Sequence, residues 1–160
     1  MDRLWSPWRY DYVAGGQPSG ACPFCEIGKS AGDRENFVLF RGQRNFVVLN
    51  RYPYTTGHLM IVPYTHVATI VETDQETVTE MMLLTRASEQ HLREAYRPKG
   101  LNIGMNIGEA AGAGVAGHIH MHVLPRWPGD VNFMTAIGET RVLIEELPAT
   151  WAKLSRAFTQ

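Results

Sequence analysis

The alternation of apolar and polar residues along the chain outlines its elements. Two short β-rich runs at 37–40 and 45–50 flank Arg41-Gly42-Gln43-Arg44, the composition of a hairpin. Residues 58–63 form a third apolar run. Thr73-Asp74-Gln75-Glu76 then has the spacing of a capping box, and Val78, Met81, Met82, Thr85, Leu92 and Tyr96 recur at helical intervals until Pro98 and Gly100 end the pattern. This predicts one long helix. Residues 101–106 read as a strand, 108–117 as a glycine-rich loop, and 118–124 as a further strand of alternating character. Pro148 suits the first turn of a closing helix that runs to about residue 158. Residues 1–36 lack sustained periodicity and read as an irregular arm, pinned by Trp5, Pro7 and Trp8. Short-looped strand pairs with one major helix predict an α+β fold, an antiparallel sheet of about five strands covered on one face by the long helix and a C-terminal helix. A single domain over 1–160 is expected, with the arm at 1–36, the core at 37–134 and a C-terminal segment at 135–160.

Composition narrows the function classes. The 160 residues are 44% hydrophobic and 19% charged, enough to build a core without covalent staples. The formal net charge of -1 lacks the basic surplus of a protein that grips long nucleic acid, whereas a small anionic ligand needs only a local pocket. Asp2, Arg3 and Arg9 interrupt the first residues, so no signal core is present there, and no run reaches membrane-spanning length. A cytoplasmic address without a membrane partner is expected. In a reducing compartment Cys22 and Cys25, three apart, read as a metal half-site or a redox pair rather than a structural disulfide.

The chemistry is concentrated at His118, His120 and His122. They alternate with Ile119, Met121 and Val123, so on a strand all three imidazoles share one face and the apolar residues face the core. Three imidazoles side by side are poor packing material, because each ring nitrogen needs a partner and joint protonation is repulsive. The bland alternative is a solvated strand or an adventitious metal site. Just before them, the glycines of 108–117 allow main-chain N–H groups to converge on an anion, and phosphate oxygens are the natural guest.

The run Gly117-His118-Ile119-His120-Met121-His122-Val123-Leu124-Pro125-Arg126 resembles the defining motif of the histidine-triad (HIT) family, and its Pro-Arg ending resembles the fragile-histidine-triad branch. Residues 50–63, Asn50-Arg51-Tyr52-Pro53-Tyr54-Thr55-Thr56-Gly57-His58 onward to Pro63, are similar to that branch's nucleotide-gripping hairpin. The Ala-Gly-Ala-Gly loop, the cysteine arm and Trp127 to Met134 look most like bacterial diadenosine tetraphosphate phosphorylases and their hydrolase relatives. The resemblance spans about residues 22–134 and implies a HIT-like fold and a homodimer. It also implies cleavage of dinucleoside polyphosphates, adenine-containing ones first, through a nucleotidyl group on His120 that water or inorganic phosphate then takes up. His122 would hold a phosphoryl or bridging oxygen. Gly112, Gly114 and Val115 would belong to the phosphate loop, with Asn106 as the side-chain contact on the adjoining strand. Phe46 and Val48 would line the base pocket. Asn50 would contact ribose or phosphate, or else cap a turn. His58 falls where the family has a fourth histidine, either orienting His118 or the leaving group, or serving as a structural residue. Arg126 would support a distal phosphate or lie on the surface.

The resemblance to zinc-containing relatives implies a Cys22, Cys25, His66 and His118 site, with zinc as a structural ion and no organic cofactor. Two reduced thiols without metal are the alternative. A metal-bound His118 cannot relay protons, so His118 is either ligand or catalytic. His91, on the long helix, reads as solvated. Met81, Met82, Leu83 and Leu84 form a broader apolar surface than one stripe needs and suggest a dimer contact. Two further functions stay open: cleavage of nucleoside phosphoramidates or adenylylated amines, and a nucleotide-binding module without meaningful turnover.

Overall fold

The computed structural model describes residues 21–131 and 143–158. The Trp5–Trp8 anchor and residues 132–134 lie outside them. Five strands form one antiparallel sheet: β1 (Val38–Arg41), β2 (Asn45–Leu49), β3 (Leu59–Pro63), β4 (Gly100–Gly104) and β5 (Met121–Arg126), ordered β1-β2-β3-β5-β4. Among the described residues three α-helices accompany it: α1 (Pro23–Lys29), α2 (Gln75–Tyr96) and α3 (Leu147–Leu154). None is long and apolar enough to cross a membrane.

Alternation sorts the strand residues between two faces. Val47, Leu49, Leu59, Ile61, Ile119 and Val123 pack with Met81, Leu84 and Leu92 of α2 and Leu154 of α3. Leu92 and Leu154 are fully buried, so both helices contribute to this larger core. Trp151 of α3 donates its indole N–H to the Val38 carbonyl at 2.8 Å, which ties the helix to the sheet's β1 edge.

The other face is covered too, contrary to the expectation of a one-sided sheet. Val38, Phe46, Val48, Met60 and Val62 pack against Phe24. Phe24 belongs to α1, a helix in the arm expected to be irregular. Its seven residues are too few for a periodic signal; Pro23 in its first turn and the burial of Phe24 hold it. Arg41 secures the other end, donating to the Ile27, Gly28 and Ser30 carbonyls at 3.2, 3.0 and 2.6 Å and pairing with Asp33 at 2.8 Å.

Several boundaries shift. Asp74, not Thr73, caps α2, accepting from the Thr77 amide at 2.7 Å, while the reciprocal capping box forms at Thr69 and Glu72 around a short 3-10 turn. β4 ends at Gly104 and α3 at Leu154, before the expected 106 and 158. Met81 and Leu84 belong to the core, so only Met82 and Leu83, 54% and 57% exposed, remain of the expected apolar surface. His91 is not simply solvated; its ring packs edge-on against Phe158 at 4.5 Å because the chain beyond α3 folds back over α2.

The β1–β2 turn is fastened from α2. The Glu80 carboxylate accepts from the Gln43, Arg44 and Asn45 amides at 2.7, 2.8 and 2.7 Å and from Asn45 Nδ2 at 2.8 Å. These bonds hold its pKa below the usual carboxylate range against the opposing effect of burial.

Candidate active site

The histidine strand begins later than its alternation suggests. β5 starts at Met121; His118 lies at a bend, and Ile119 and His120 lead from it into the strand, secured where the Ile119 amide donates to the Val67 carbonyl at 2.8 Å. The facing is nevertheless as expected. Ile119 and Val123 enter the α2 core, while the rings of His118, His120 and His122 lie on the face that carries Phe24. All three are buried, at 0%, 5% and 7% exposure.

Their partners set their tautomers. A carbonyl oxygen can only accept, so the 2.9 Å contact of His120 Nδ1 with the His118 oxygen places a proton on Nδ1. Nε2 of His120 therefore carries the lone pair. His58, 1% exposed, accepts the Tyr54 amide on Nδ1 at 3.2 Å, so the proton of its neutral ring sits on Nε2. That Nε2 is 2.8 Å from His122 Nδ1, which must accept. The proton of neutral His122 is thus on its Nε2. One backbone amide, relayed through His58, decides what His122 presents.

Burial keeps these rings neutral. Desolvation pushes the His120 pKa down, only partly opposed by its bond to the His118 carbonyl. His122 is pushed down to about 4, first by burial and then by neighbouring His120.

The second cluster lies at the His118 end of the strand. His118 Nε2–H donates to the Pro63 carbonyl at 2.9 Å, leaving Nδ1 with a lone pair that faces Cys22 Sγ at 3.3 Å and Cys25 Sγ at 3.6 Å. His66 Nδ1 is 3.3 Å from Cys25 Sγ, and all four donor atoms lie within 4.8 Å of one another. A tetrahedral zinc with ordinary Zn–S and Zn–N lengths has ligand-to-ligand edges of about 3.3–3.8 Å. The sulfur-to-nitrogen distances of 3.3, 3.6 and 3.3 Å and the tautomer of His118 fit such an ion, which would draw the most widely spaced donors closer together. Both His118 nitrogens are engaged, which sets this ring apart from the other two.

The remaining candidates divide. The β4–β5 pairing ends at Gly104 and His122, so Asn106 follows the last paired residue of β4 by two positions. In the loop, Gly108 and Gly112 adopt positive φ, but the Gly112 and Ala113 amides close bonds to the Glu109 and Gly108 carbonyls. The amides of Val115, Ala116 and Gly117 have no partner among the described residues, which shifts any phosphate cradle from Gly112 toward the end of the loop. Val115 also packs on the Phe46 and Val48 cluster. Phe46 and Val48 share the histidine face but are 0% and 1% exposed beneath α1. Asn50 both turns the chain, accepting the Tyr52 amide at 2.9 Å, and lies 3.3 Å from His58 Nδ1. Arg126 is bound to Asp130 at 2.5 and 2.9 Å and to Asn102 at 2.7 Å, a structural role that answers its open reading.

Sequence reasoning missed Phe24, Ile27 and Tyr54. The Phe24 ring is 4.8 Å from that of His120, Ile27 packs at the rim of the same cluster, and the Tyr54 ring is 4.8 Å from His58. The apolar filling of the Cys-Pro-Phe-Cys segment was a signal for Phe24; Tyr54 carried none.

Comparison with known proteins identifies relatives of the whole chain. The chain is 39% identical to an AP-4-A phosphorylase of Mycobacterium tuberculosis over 94% of this chain and 80% of that protein. A Zn-bound histidine triad family protein from Mycobacterium smegmatis superposes with a TM-score of 0.70 at 28% identity, covering 87% of this chain and 94% of the other. A hypothetical histidine triad nucleotide-binding protein from Sulfolobus tokodaii gives 0.67 at 25% identity, over 86% and 92%. The HIT domain family model matches residues 31–129, spanning the hairpin, the long helix and all three alternating histidines, and the chain is accordingly a member of the HIT family.

Proposed function

We propose that the chain is a nucleotidyl-transferring enzyme that cleaves dinucleoside polyphosphates of the diadenosine tetraphosphate type through a nucleotidyl-His120 intermediate. One observation carries the reading: Nδ1–H of His120 is fixed on the His118 carbonyl, leaving a buried, unprotonated Nε2 as nucleophile. The lone pair of Nε2 forms a bond to the α-phosphorus, and the phosphorus–bridging-oxygen bond breaks with its electron pair leaving on oxygen. Nε2–H of neutral His122 donates a hydrogen bond that stabilises the charge on that oxygen, which departs as a phosphate anion. The positive charge gained by His120 is met by the His118 carbonyl. An acceptor oxygen then attacks phosphorus, and the nitrogen–phosphorus electron pair returns to His120.

Asn106 and the amides of Val115 to Gly117 are the proposed contacts for the nonbridging oxygens, with Gly112 and Gly114 shaping their loop. Asn50 is proposed at the ribose and the Phe46 and Val48 cluster, rimmed by Ile27 and Val115, at the base. Cys22, Cys25, His66 and His118 would hold zinc as a four-ligand structural ion. His118 is then a ligand rather than a proton relay. Cytoplasmic location and a homodimer belong to the same reading, the dimer resting on Met82, Leu83 and the open edge of β4.

Inorganic phosphate is favoured as acceptor by the 39% identity with an AP-4-A phosphorylase. Diadenosine tetraphosphate incubated with and without phosphate tests this. ADP plus ATP marks phosphorolysis, AMP plus ATP marks hydrolysis, and no product defeats the enzymatic reading. His120→Ala should lose far more than tenfold in turnover while retaining nucleotide affinity.

A further inference from the structure

Cys22, Cys25 and His66 stand apart from the reacting atoms but reach the nucleophile through two short paths. The first runs through His118. Its ring faces both thiols while its main-chain oxygen accepts Nδ1–H of His120 at 2.9 Å. With Nε2–H already on the Pro63 carbonyl, a ligand on Nδ1 fixes the His118 ring at both ends and the peptide it belongs to.

The second path is α1. Phe24 lies between the cysteines in sequence, and its ring is 5.5 Å from that of His118 and 4.8 Å from that of His120. Arg41 holds the far end of the helix by its carbonyls. The near end is held, among its polar contacts, by thiol-to-imidazole contacts of 3.3 to 3.6 Å, which are weak bonds for neutral sulfur. How firmly Phe24 and the His118 carbonyl are placed thus depends on what joins the four donors.

We propose that Cys22, Cys25 and His66 are positioning residues for His120: a zinc ion bound by them and His118 fixes the His118 peptide and Phe24, so zinc occupancy and nucleotide occupancy are coupled. The inference rests on the reading that nucleotide is held at His120. Coupling between binding sites is reciprocal, so a bound nucleotide must tighten zinc by the same factor that zinc tightens the nucleotide. In a chain that stays folded without the metal, a zinc that does not reach the site is indifferent to whether the site is filled, so the comparison is made where circular dichroism shows the metal-free chain folded.

The test is the zinc affinity of the full chain, measured by competition with a chromophoric chelator, with and without saturating AMP. The expected result is a tightening of about fivefold or more, the lower end of ordinary coupling. The zinc-loaded chain should show the His120 proton on Nδ1 by nitrogen NMR, and His66→Ala at the same zinc concentration should show a mixture of tautomers. If that variant fails to fold, replacing zinc with cobalt in the native chain serves instead, and its visible spectrum should shift on AMP addition. AMP binding with unchanged zinc affinity, or with an unmoved cobalt spectrum, would overturn the inference alone. A zinc-loaded chain that does not bind AMP would overturn the nucleotide-site reading and the inference with it.

Discussion

Replacing His58 with alanine removes the donor that forces His122 to carry its proton on Nε2. In the native site the Tyr54 amide occupies His58 Nδ1 and His58 Nε2–H points at His122 Nδ1 across 2.8 Å. His58 and His122 are 1% and 7% exposed, so water is a poor substitute, and leaving a buried acceptor unpaired costs about 1–3 kcal/mol. If that energy is what holds the productive tautomer, turnover falls by about 5- to 150-fold at about 1.36 kcal/mol per factor of ten. The loss should appear in kcat rather than KM, because His122 acts on the departing oxygen. It should grow for an adenosine 5′-alkyl phosphodiester, whose alkoxide leaving group needs far more help than a departing phosphate. His58→Gln, which can still donate toward His122, should recover part of the rate. Steady-state kinetics on diadenosine tetraphosphate, with melting curves to establish folding, provide the assay. A folded His58→Ala enzyme with native kcat, or equal losses on both substrates, would refute the relay.

Other perturbations probe the frame. Glu80→Ala takes the carboxylate from the buried Asn45 amide, while Asn45 Nδ2 keeps its bond to the Thr77 carbonyl, and should cost about 1–3 kcal/mol in urea unfolding; the exposed Gln43 and Arg44 amides can turn to water. A loss under about 0.5 kcal/mol would remove Glu80 as the clamp on the hairpin. Gly57→Ala places a side chain at φ +78, with its Cβ 3.2 Å from Leu92 and 3.3 Å from Tyr96, so destabilisation of about 1–3 kcal/mol and reduced activity should accompany one another. Native melting temperature and rate in that variant would contradict this. The pH dependence has a definite sign. His122 titrates near 4 in the folded chain against 6.5 when unfolded, so the working neutral form persists as pH falls through the ordinary histidine range and is lost toward 4. Over the same window the unfolded chain takes up a proton that the folded site refuses, and stability declines as pH drops from about 6.5 to about 4. An acid limb of kcat centred at or above 6.5 would argue that the triad is wet.

Alternation was sufficient to place His118, His120 and His122 on one face, because successive strand residues point oppositely whether or not the strand's assigned hydrogen bonds extend that far. The hairpin, the long helix and the turn propensity of Asn50 were legible for the same kind of reason: local periodicity and turn chemistry act over a few residues. What α1 does was not, since a seven-residue helix has no period of its own and is held by Phe24 beneath it and Arg41 at its end, contacts made across the fold. Arg126 similarly needed Asp130 and Asn102 to reveal it as structural. Protonation was the least visible property. Which nitrogen of His120 or His122 bears hydrogen depends on a carbonyl two residues away and on an amide relayed through a histidine 64 positions distant, and such partners are chosen by strand pairing. Residue types thus specified a set of imidazoles on one surface; packing determined which nitrogen of each ring keeps a lone pair and which ring faces the cysteines.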